Sequence, residues 1–343
     1  NKRILLVSRP SGKATPDNFK LENNSQLSTV LKDGEVLVQV IYLSLDPYLR
    51  GRMNEGKASF AGASVPLDSV MIGGTVVKVI DSKLPGYVPG DWVVCNCGWQ
   101  QYSVTTPKDH DLFVNLGQNP VNPSYALGIL GLTGFTAYMG LLDIGNPQPG
   151  ETVVVGAATG PVGATVGQIA KLKGCRAVGI AGGKEKCDYA KSNGFDDCVD
   201  HTDPNFAELI HKACPKGIDV YFESVGGKVF DTVLPLINTK GRIPVCGVIS
   251  NYNSSEPPKG PDRVPMLEST IHRMRLRMQG YMIYDDYGHR YNEFYEAMSA
   301  WVQQGKIKYL EQMIDGLEHA PEALIGLFEG KNFGKLVVKV SSE

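Results

Sequence analysis

A run of small residues, Ala158-Thr159-Gly160-Pro161-Val162-Gly163, follows the apolar segment Thr152–Val155 and precedes helical periodicity over Ala164–Leu172. An apolar strand, a glycine turn and a helix form the context in which such a run binds a nucleotide. Gly160 lets the backbone approach a pyrophosphate, and Gly163 lets the helix pack closely on the strand. The N–H groups at the helix N-terminus would face the phosphates. The run predicts a dinucleotide site. Ala158 replaces the usual first glycine, and a structural turn of another α/β protein is the alternative.

The next candidate strand, Arg176–Ala181, is followed by Gly182-Gly183-Lys184-Glu185-Lys186 and not by the acidic residue that usually holds the ribose hydroxyls of NAD. The glycines leave room, and Lys184 and Lys186 bring the positive charge that a 2′-phosphate needs. We therefore predict NADPH as the cofactor and not NADH. Glu185 weakens the positive field, and the alternative is that both lysines are solvated residues of a helix start.

Composition excludes several classes of protein. The chain has 343 residues, a formal net charge of −2 and a hydrophobic fraction of 42%, which suits a globular protein of two domains. This charge gives no basic footprint for nucleic acid or for an anionic membrane. No apolar run approaches the roughly 20 residues that cross a bilayer, and the apolar run Ile4–Val7 is too short for a signal peptide. We expect a cytoplasmic protein without nucleic-acid or membrane partners.

The metal-binding residue types are scattered. The seven cysteines include no Cys-x-x-Cys pair, and the six histidines include no His-x-x-x-His pair. Cys95 and Cys97 are spaced too closely for a zinc knuckle and have no partner pair nearby. Most cysteines lie in apolar or strand-like segments, which is typical of buried free thiols in a reducing compartment. We expect no metal site.

The elements that must position these residues fall into three regions. Residues 1–128 are rich in strands and turns, with strands predicted over Val36–Tyr42, Gly74–Ile80 and Trp92–Cys95. Residues 129–304 alternate between strand and helix, and residues 305–343 end in the alternating strand Lys335–Val340. We expect that strand to return to the first region. The predicted domains are therefore a discontinuous β-rich domain, 1–128 with 305–343, and a nucleotide-binding domain, 129–304.

The second region carries the pattern of a doubly wound sheet. Its six predicted strands are 152–155, 176–181, 197–200, 218–222, 242–246 and 276–280. Asp203-Pro204 predicts the cap and first turn of a helix over 205–213. Asn253–Pro265 is rich in Pro, Ser and Gly, and we expect a long loop that acts as a lid over the substrate.

Longer motifs resemble one enzyme superfamily over essentially the whole chain. They are Leu43–Met53, Gly134–Tyr138, Val225–Gly227, Ile249–Asn253 and Gly330–Lys335. Together they resemble the medium-chain dehydrogenase/reductase superfamily, and within it the zinc-independent double-bond reductases: prostaglandin reductases, plant alkenal reductases and bacterial curcumin reductases. The resemblance implies an α/β fold with a GroES-like β-rich catalytic domain and a Rossmann doubly wound parallel sheet.

Zinc alcohol dehydrogenases of the superfamily differ from this chain at their ligands. They carry a cysteine on the segment that corresponds to Leu43–Arg50, a Gly-His-Glu motif where this chain has Ile72-Gly73-Gly74-Thr75, and a lobe with four structural cysteines. Without a Lewis acid, alcohol oxidation loses its means of stabilising an alkoxide. A conjugated enone needs none, because hydride addition to its β-carbon moves charge to the carbonyl oxygen, where hydrogen-bond donors hold the enolate.

The resemblance implies roles for individual residues. Tyr252 matches a tyrosine beside the nicotinamide and is the predicted donor to the enolate; packing on the cofactor is its alternative role. Tyr48 matches a second tyrosine of the pocket, as a donor or as an aromatic wall. Lys186 matches the lysine that grips the 2′-phosphate, and His201 stands where prostaglandin reductases have a tyrosine near that phosphate. Ser224 replaces an asparagine of the family.

The resemblance also implies a larger set of cofactor contacts. These residues are Thr136, Ala158, Thr159, Gly160, Pro161, Val162, Gly163, Gly183, Lys186, His201, Ser224, Cys246, Gly247, Val248, Ile249, Ser250, Tyr252, Tyr281, Met282, Ile283 and Asn332. Tyr281, Met282 and Ile283 are expected to contact the nicotinamide amide through backbone atoms. Cys246 is expected to be a packed thiol and not a nucleophile, because the sequence supplies no base for it.

These residues predict an NADPH-dependent reductase of the carbon–carbon double bond in α,β-unsaturated ketones, with aldehydes and curcumin-type enones as further substrates. We expect a small-molecule enone substrate and a homodimer. Two alternatives stay open. One is an NADPH:quinone oxidoreductase of the same fold, since quinones are also enones. The other is a non-catalytic NADPH-binding protein, against which Tyr48 and Tyr252 argue, because they suggest a working pocket.

Overall fold

A computed structural model of the chain describes residues 1–56, 63–109, 112–256 and 260–343. The chain forms two compact units. The first unit consists of Asn1–Gly131 and Glu311–Glu343, and the second of Leu132–Leu310. The strands of each unit pair only within that unit, and each unit has its own hydrophobic core.

The strands of the described residues are numbered in chain order. They are β1 (Arg3–Leu6), β2 (Phe19–Glu22), β3 (Val36–Ser44), β4 (Ser69–Val70), β5 (Thr75–Ser82), β6 (Trp92–Cys95), β7 (Tyr102–Thr105), β8 (Val114–Gly117), β9 (Thr152–Val155), β10 (Arg176–Ala181), β11 (Asp197–Asp200), β12 (Ile218–Phe222), β13 (Ile237–Val245), β14 (Arg277–Gly280), β15 (Glu311–Asp315) and β16 (Lys335–Lys339).

The α-helices of the same residues are α1 (Tyr48–Arg52), α2 (Leu132–Met139), α3 (Pro161–Leu172), α4 (Lys184–Ser192), α5 (Phe206–Ala213), α6 (Gly227–Val233), α7 (Val264–Met274), α8 (Ile283–Tyr287), α9 (Tyr291–Gln303) and α10 (Ala320–Phe328). Helix α2 continues as a π-helix over Gly140–Gly145. In the described part of the chain, no helix has the length and apolar character needed to span a membrane.

The second unit is built on a parallel sheet. Its strand order is β11-β10-β9-β12-β13-β14, and each neighbouring pair runs parallel. The central strand β9 is buried along its whole length, as expected for a sheet covered on both faces. The chain builds outward from β9 to β11 and then returns to the other side of β9 with β12, which is the doubly wound order. The predicted Rossmann sheet is confirmed.

The strand bounds of this sheet follow the sequence pattern closely. Strands β9, β10, β11 and β12 have the predicted bounds, and β14 begins one residue later than predicted. Strand β13 begins at Ile237 and not at residue 242. Its early part breaks register with β12, and Lys240 there has a left-handed φ of 64°. The prediction missed this part because the polar run Asn238–Gly241 resembles a turn more than a strand.

Two predicted boundaries in the second unit are wrong. The helix predicted over 205–213 begins at Phe206, with Asn205 at its N-cap position. Asp203 instead accepts the N–H of Asn205 at 2.7 Å, in a local turn before the helix, since aspartate before proline suits a turn as well as a cap. The loop predicted over Asn253–Pro265 ends early, because α7 begins at Val264. Residues 257–259 of that loop lie outside the described residues, so its role as a lid stays a prediction.

The first unit contains two sheets. The larger has the order β15-β16-β3-β5-β6-β8, with β7 also paired to β3, and the smaller has the order β2-β1-β4. Strand β16 pairs antiparallel with β3, with Val338 opposite Leu43. Strand β3 is longer than predicted and runs to Ser44, while β6 has its predicted bounds. The core between these sheets includes Leu43 and Trp99, which are both fully buried.

A buried ion pair joins the two chain segments of the first unit. The ammonium of Lys335, on β16, lies 2.8 Å from Asp46 Oδ1 and donates to the carbonyl of Leu45 at 3.0 Å. The side chains are 1% and 7% exposed, and the hydroxyl of Ser44 also donates to Asp46. Lys335 thereby fixes the segment that leads into α1 against the C-terminal strand.

Replacing Lys335 should destabilise the first unit strongly. Lys335→Met leaves a buried carboxylate without its cation, a change that typically costs about 3–5 kcal/mol. Urea denaturation followed by tryptophan fluorescence measures the change. Lys339→Met, on the same strand but half-buried, is the matched control and should alter stability by about 0.5 kcal/mol or less. Equal denaturation midpoints for the two variants would show that the pair of Lys335 and Asp46 does not contribute more to stability than a half-buried lysine does.

Candidate functional site

Loops of the second unit meet at one edge of its sheet. Because parallel strands point the same way, the residues after β9, β10, β12, β13 and β14 share the carboxyl edge. Most predicted cofactor residues of this unit lie in those loops or in the first helical turn after them. His201 follows β11, which is parallel to β10 and therefore ends at the same edge. The exception is Thr136, which lies on α2. The structure therefore brings the residues expected from the sequence to one side of the sheet.

The turn after β9 is compact because two of its glycines have no room for a side chain. A Cβ on Gly163 would lie 2.4 Å from the carbonyl oxygen of Ala157, and a Cβ on Gly156 would lie 2.9 Å from Val225 Cγ2. Ala157 has a left-handed φ of 48°, which a residue with a side chain adopts at a cost. Gly163 thus closes α3 onto the preceding turn. Sequence reasoning missed Gly156, whose signal is its place directly after the strand.

Ala158 connects this turn to strand β10. It is fully buried, and its N–H donates to the carbonyl of Ile180 on β10 at 3.0 Å. Its methyl group lies over Gly179, where a Cβ would come within 2.8 Å of Ala158 Cβ. The Ala158 amide is therefore engaged within the protein, so its place in the predicted site is structural.

The N-terminus of helix α3 supplies the backbone N–H groups of this turn. The helix begins at Pro161, and Gly160 stands at its N-cap without a side-chain cap. The first N–H groups of a helix have no acceptor within the helix, and proline has no N–H. The amides of Val162 and Gly163 are therefore the first N–H groups of α3 that are available to an anion, at the positive end of the helix dipole. Thr159, which precedes the N-cap, is buried.

The turn after β10 carries the predicted 2′-phosphate site. Lys184 forms an ion pair with Asp188 on the next turn of α4. Lys186 is half-buried, and burial lowers the pKa of its ammonium, so it would meet an anion as a partly desolvated cation. His201 Nε2 lies 3.2 Å from the position that a Cβ of Gly182 would take. The imidazole is thus next to Gly182, and a side chain at 182 would require it to shift slightly.

Asp200, which sequence reasoning missed, holds this turn in place. Its Oδ1 accepts the N–H of Gly183 at 2.8 Å and the N–H of Thr202 at 2.9 Å. Gly183 has a φ of 85°, a conformation that favours glycine. The Gly183 amide is therefore engaged within the protein, and its contribution is conformational. The available signal was the position of Asp200, at the end of a predicted strand and next to His201.

Glu223, also missed, lies beneath the turn after β12. Its Oε1 accepts the N–H groups of Val225 and Gly226 at 2.6 and 2.8 Å. The residue is 1% exposed, and burial raises the pKa of the carboxyl. Its backbone N–H donates to Pro244, and its carbonyl accepts the N–H of Cys246, both at 2.9 Å. Glu223 therefore binds the turns after β12 and β13 to each other.

Ser224, in the same turn, donates its hydroxyl to the carbonyl of Gly156 at 3.2 Å. The carbonyl of Ser224 accepts the N–H of Ile249 at 3.1 Å, and the carbonyl of Val225 accepts the N–H of Ser250 at 3.0 Å. These bonds connect three loops of the carboxyl edge through one residue pair. The serine that replaces an asparagine of the family is thus used inside the protein.

The turn after β13 carries Tyr252. A single 3₁₀ turn, Ile249–Asn251, precedes it, and the Tyr252 hydroxyl oxygen accepts the N–H of Val248 at 3.3 Å. Burial raises the pKa of this phenol above its ordinary value, so the hydroxyl is protonated at neutral pH. Burial also raises the pKa of the Cys246 thiol to about 12, which keeps the thiol protonated as well.

The segment after β14 is tied to α2 and α8. The Tyr281 hydroxyl donates to the carbonyl of Thr136 at 2.8 Å. The N–H of Met282 donates to Asp286 Oδ2 at 2.7 Å, at the start of α8, which begins with the buried Ile283. The carbonyl of Met282 accepts the N–H of Asp286 at 2.9 Å, so both backbone polar groups of Met282 have partners within the protein.

Tyr48 and Asn332 belong to the first unit. Tyr48 opens α1 and packs against the core of that unit. The side-chain amide of Asn332 donates to the carbonyl of Gly334 at 3.1 Å. The buried pair of Lys335 and Asp46 joins the two segments that carry these residues, so it positions both.

The sulfur atoms of Cys95 and Cys97 lie 3.4 Å apart, and both residues are buried. Thr75, in the segment where zinc enzymes of the superfamily carry a ligand motif, donates to the carbonyl of Cys95 at 3.0 Å. Over the ranges that the structure describes, no three or more His, Cys, Asp or Glu side chains are grouped so as to hold a metal ion.

The carboxyl edge of the second unit fits a dinucleotide by its own geometry. The turn after β9 has no space for side chains at two glycines, and α3 begins directly behind it. The turn after β10 has two glycines and a half-buried lysine where an acidic residue would face a ribose, and His201, which follows β11, lies beside this turn. This arrangement leaves the first amides of α3 without acceptors in the helix and places the half-buried ammonium of Lys186 one turn after the glycine pair.

Comparisons with known proteins agree with this geometry. A family described as the N-terminal domain of oxidoreductase matches residues 2–112, and one described as zinc-binding dehydrogenase matches residues 161–304. The NADPH-dependent curcumin reductase of Escherichia coli (strain K12) is 55% identical over 344 residues, which cover 100% of this chain and 98% of that protein. The 2-alkenal reductase (NADP(+)-dependent) of Nicotiana tabacum is 40% identical, with 100% and 98% covered.

The fold matches a solved structure equally well. The crystal structure of CurA from Vibrio vulnificus in complex with NADPH has a TM-score of 0.95 to this chain and 53% sequence identity, and 100% of both chains is covered. Identity of this degree over the full length shows common family membership. The chain belongs to the medium-chain dehydrogenase/reductase family of oxidoreductases, in the branch of its double-bond reductases.

Proposed function

We propose that the chain reduces the carbon–carbon double bond of α,β-unsaturated ketones with NADPH, and that curcumin-type enones and alkenals are among its substrates. The observation that carries this proposal is the position of the Tyr252 hydroxyl, which lies at the carboxyl edge and whose oxygen accepts the N–H of Val248 at 3.3 Å. The similarity to reductases named for curcumin and for 2-alkenals supports the substrate class.

NADPH would lie across the carboxyl edge of the second unit. The turn 156–163 and the N-terminus of α3 would hold the pyrophosphate, and Lys186 and His201 would hold the 2′-phosphate. The turns after β12, β13 and β14 would hold the nicotinamide end. When bound, NADPH supplies the hydride for the β-carbon of the enone. Asp200 and Glu223 keep two of these turns in place through backbone amides.

The chain's own contribution to the chemistry is a hydrogen-bond donor for the enolate oxygen. Because burial raises the pKa of Tyr252, its hydroxyl is protonated at neutral pH and can donate a hydrogen bond to the enolate oxygen. A donor of this type is typically worth about 3 kcal/mol at the transition state. Tyr48 is the second candidate, either as a further donor or as an aromatic wall. The proton for the α-carbon comes from solvent.

The cofactor proposal predicts a selective effect of Lys186. Lys186→Ala removes a charge-assisted contact of about 1.5–3 kcal/mol, so the KM for NADPH should rise about tenfold or more while the KM for NADH stays the same. Steady-state kinetics with both cofactors measures this. Lys184→Ala is the comparison variant and should have a smaller effect, because that ammonium already pairs with Asp188. Wild-type protein that uses NADH as well as NADPH would contradict the assignment.

The enone proposal predicts that a variant of Tyr252 has a lower turnover rate but an unchanged affinity for NADPH. Tyr252→Phe should lower kcat and kcat/KM together by about tenfold, or about 1.4 kcal/mol, because the hydrogen bond strengthens in the transition state. The Kd for NADPH should change little, since the ring remains. Because the resemblance also implies a donor role for Tyr48, the loss in Tyr48→Phe/Tyr252→Phe should exceed the sum of the single losses.

Substrate choice separates this proposal from its rival. Wild-type protein should turn over a conjugated enone with a higher kcat/KM than a benzoquinone of similar size. A preference for the benzoquinone would favour an NADPH:quinone oxidoreductase. Absence of turnover on both, together with NADPH binding, would favour a non-catalytic protein.

We further propose a homodimer that forms through β14. This strand is at an edge of the parallel sheet, and Met278 on it is 38% exposed. An edge strand pairs with its own copy about a two-fold axis, which covers its open backbone groups. The thiols of the seven cysteines are free, which supports the cytoplasmic compartment expected from the sequence.

The dimer proposal predicts a change in mass on substitution of the edge. Met278→Glu should convert the protein from dimer to monomer, measured by light scattering after size-exclusion chromatography, because it places two carboxylates at the pairing edge. Met313→Glu is the control, since Met313 is similarly exposed, at 40%, on a strand of the first unit. A monomeric wild-type protein, or a dimer that tolerates Met278→Glu, would contradict the assignment.

A further inference from the structure

The turn after β13 contains a glycine, Gly247, that lies next to the Tyr252 hydroxyl. Gly247 has no positive φ, so it does not adopt the left-handed conformation that favours glycine. A Cβ on Gly247 would lie 2.8 Å from the hydroxyl oxygen of Tyr252, closer than real Cβ atoms approach other atoms. The next nearest atoms, Tyr252 Cζ at 3.8 Å and the carbonyl oxygen of Ser224 at 3.9 Å, would be in ordinary van der Waals contact. The Tyr252 hydroxyl is thus the atom that a side chain at 247 would displace.

The same hydroxyl is held by the next residue of the chain. The N–H of Val248 donates to the Tyr252 oxygen at 3.3 Å, which uses a lone pair of that oxygen and not its proton. When a phenol donates its proton to a developing enolate, negative charge grows on the phenol oxygen, and an N–H directed at that oxygen stabilises the charge. The Val248 amide therefore both locates the donor and strengthens it.

We propose that Gly247 is a positioning residue for Tyr252: the missing side chain at 247 leaves the space in which the Tyr252 hydroxyl reaches the Val248 amide. The catalytic part of this inference rests on the proposed function. The contact itself is independent of any reaction, and it explains why this position is a glycine although its backbone is not in the left-handed conformation.

The test is a double-mutant cycle of Gly247→Ala and Tyr252→Phe, with two measurements. Gly247→Ala should lower kcat on an enone about tenfold, with little change in the Kd for NADPH, and should lower the Tm by about 2 °C. In the Tyr252→Phe background the added methyl group meets no hydroxyl. The double variant should therefore have the kcat and the Tm of Tyr252→Phe alone.

A matched control separates this effect from the loss of any glycine. Gly288 has a φ of −51°, and a Cβ on it would have no neighbour within 4 Å. Gly288→Ala should keep the kcat and the Tm of the wild-type protein in both backgrounds.

The two measurements distinguish this inference from the proposed function. Wild-type kcat and Tm in Gly247→Ala would overturn the inference, and so would an equal cost of the alanine in both backgrounds, because the methyl group would then act on something other than the hydroxyl. If Tyr252→Phe keeps full activity while the Tm values remain coupled, the positioning contact stands and the role of Tyr252 as donor to the enolate fails.

Discussion

The carboxyl edge of the parallel sheet depends on the hydrogen bonds that two backbone amides donate to the buried carboxyl group of Glu223. Glu223 is 1% exposed, and burial makes its charged form costly, as its raised pKa indicates. The amides of Val225 and Gly226 offset that cost by donating to Oε1. Because its main chain also bonds to β13 and to Cys246, the turns on both sides move together. The hydrogen bonds of the Glu223 main chain to Pro244 and Cys246 therefore help to position the turn that carries Tyr252.

The parallel sheet could be predicted from the sequence because buried strands read as short apolar runs between glycines and polar turns. Four strands have the predicted bounds for that reason. The prediction failed where local chemistry is ambiguous: the polar run Asn238–Gly241 belongs to β13 through an irregular register, and Asp203 serves a turn and not a helix cap. Both cases are decided by tertiary contacts that no short window of sequence contains.

The candidate site was predictable in its glycines and lysines but not in its supporting acids. Asp200 and Glu223 look like solvated charges in the sequence, yet each accepts backbone amides from a turn of the site. Asp46 and Lys335 are far apart in the chain, so their pairing requires the folded first unit. A glycine pattern also does not say which amides are engaged: those of Ala158, Gly183 and Met282 all have acceptors within the protein.

The pairing of Lys335 with Asp46 has a consequence for biosynthesis. The two residues are separated by 289 positions, and the whole second unit is inserted between them. During translation the β-strands of residues 1–131 emerge first but lack β16 and the ammonium that neutralises Asp46. The second unit is continuous in the chain, so all of its strands are synthesised before the C-terminal segment 311–343. Domains generally fold as units once they are complete. The inserted unit is complete in the chain at residue 310, whereas the sheet of the first unit still lacks β15 and β16 at that point.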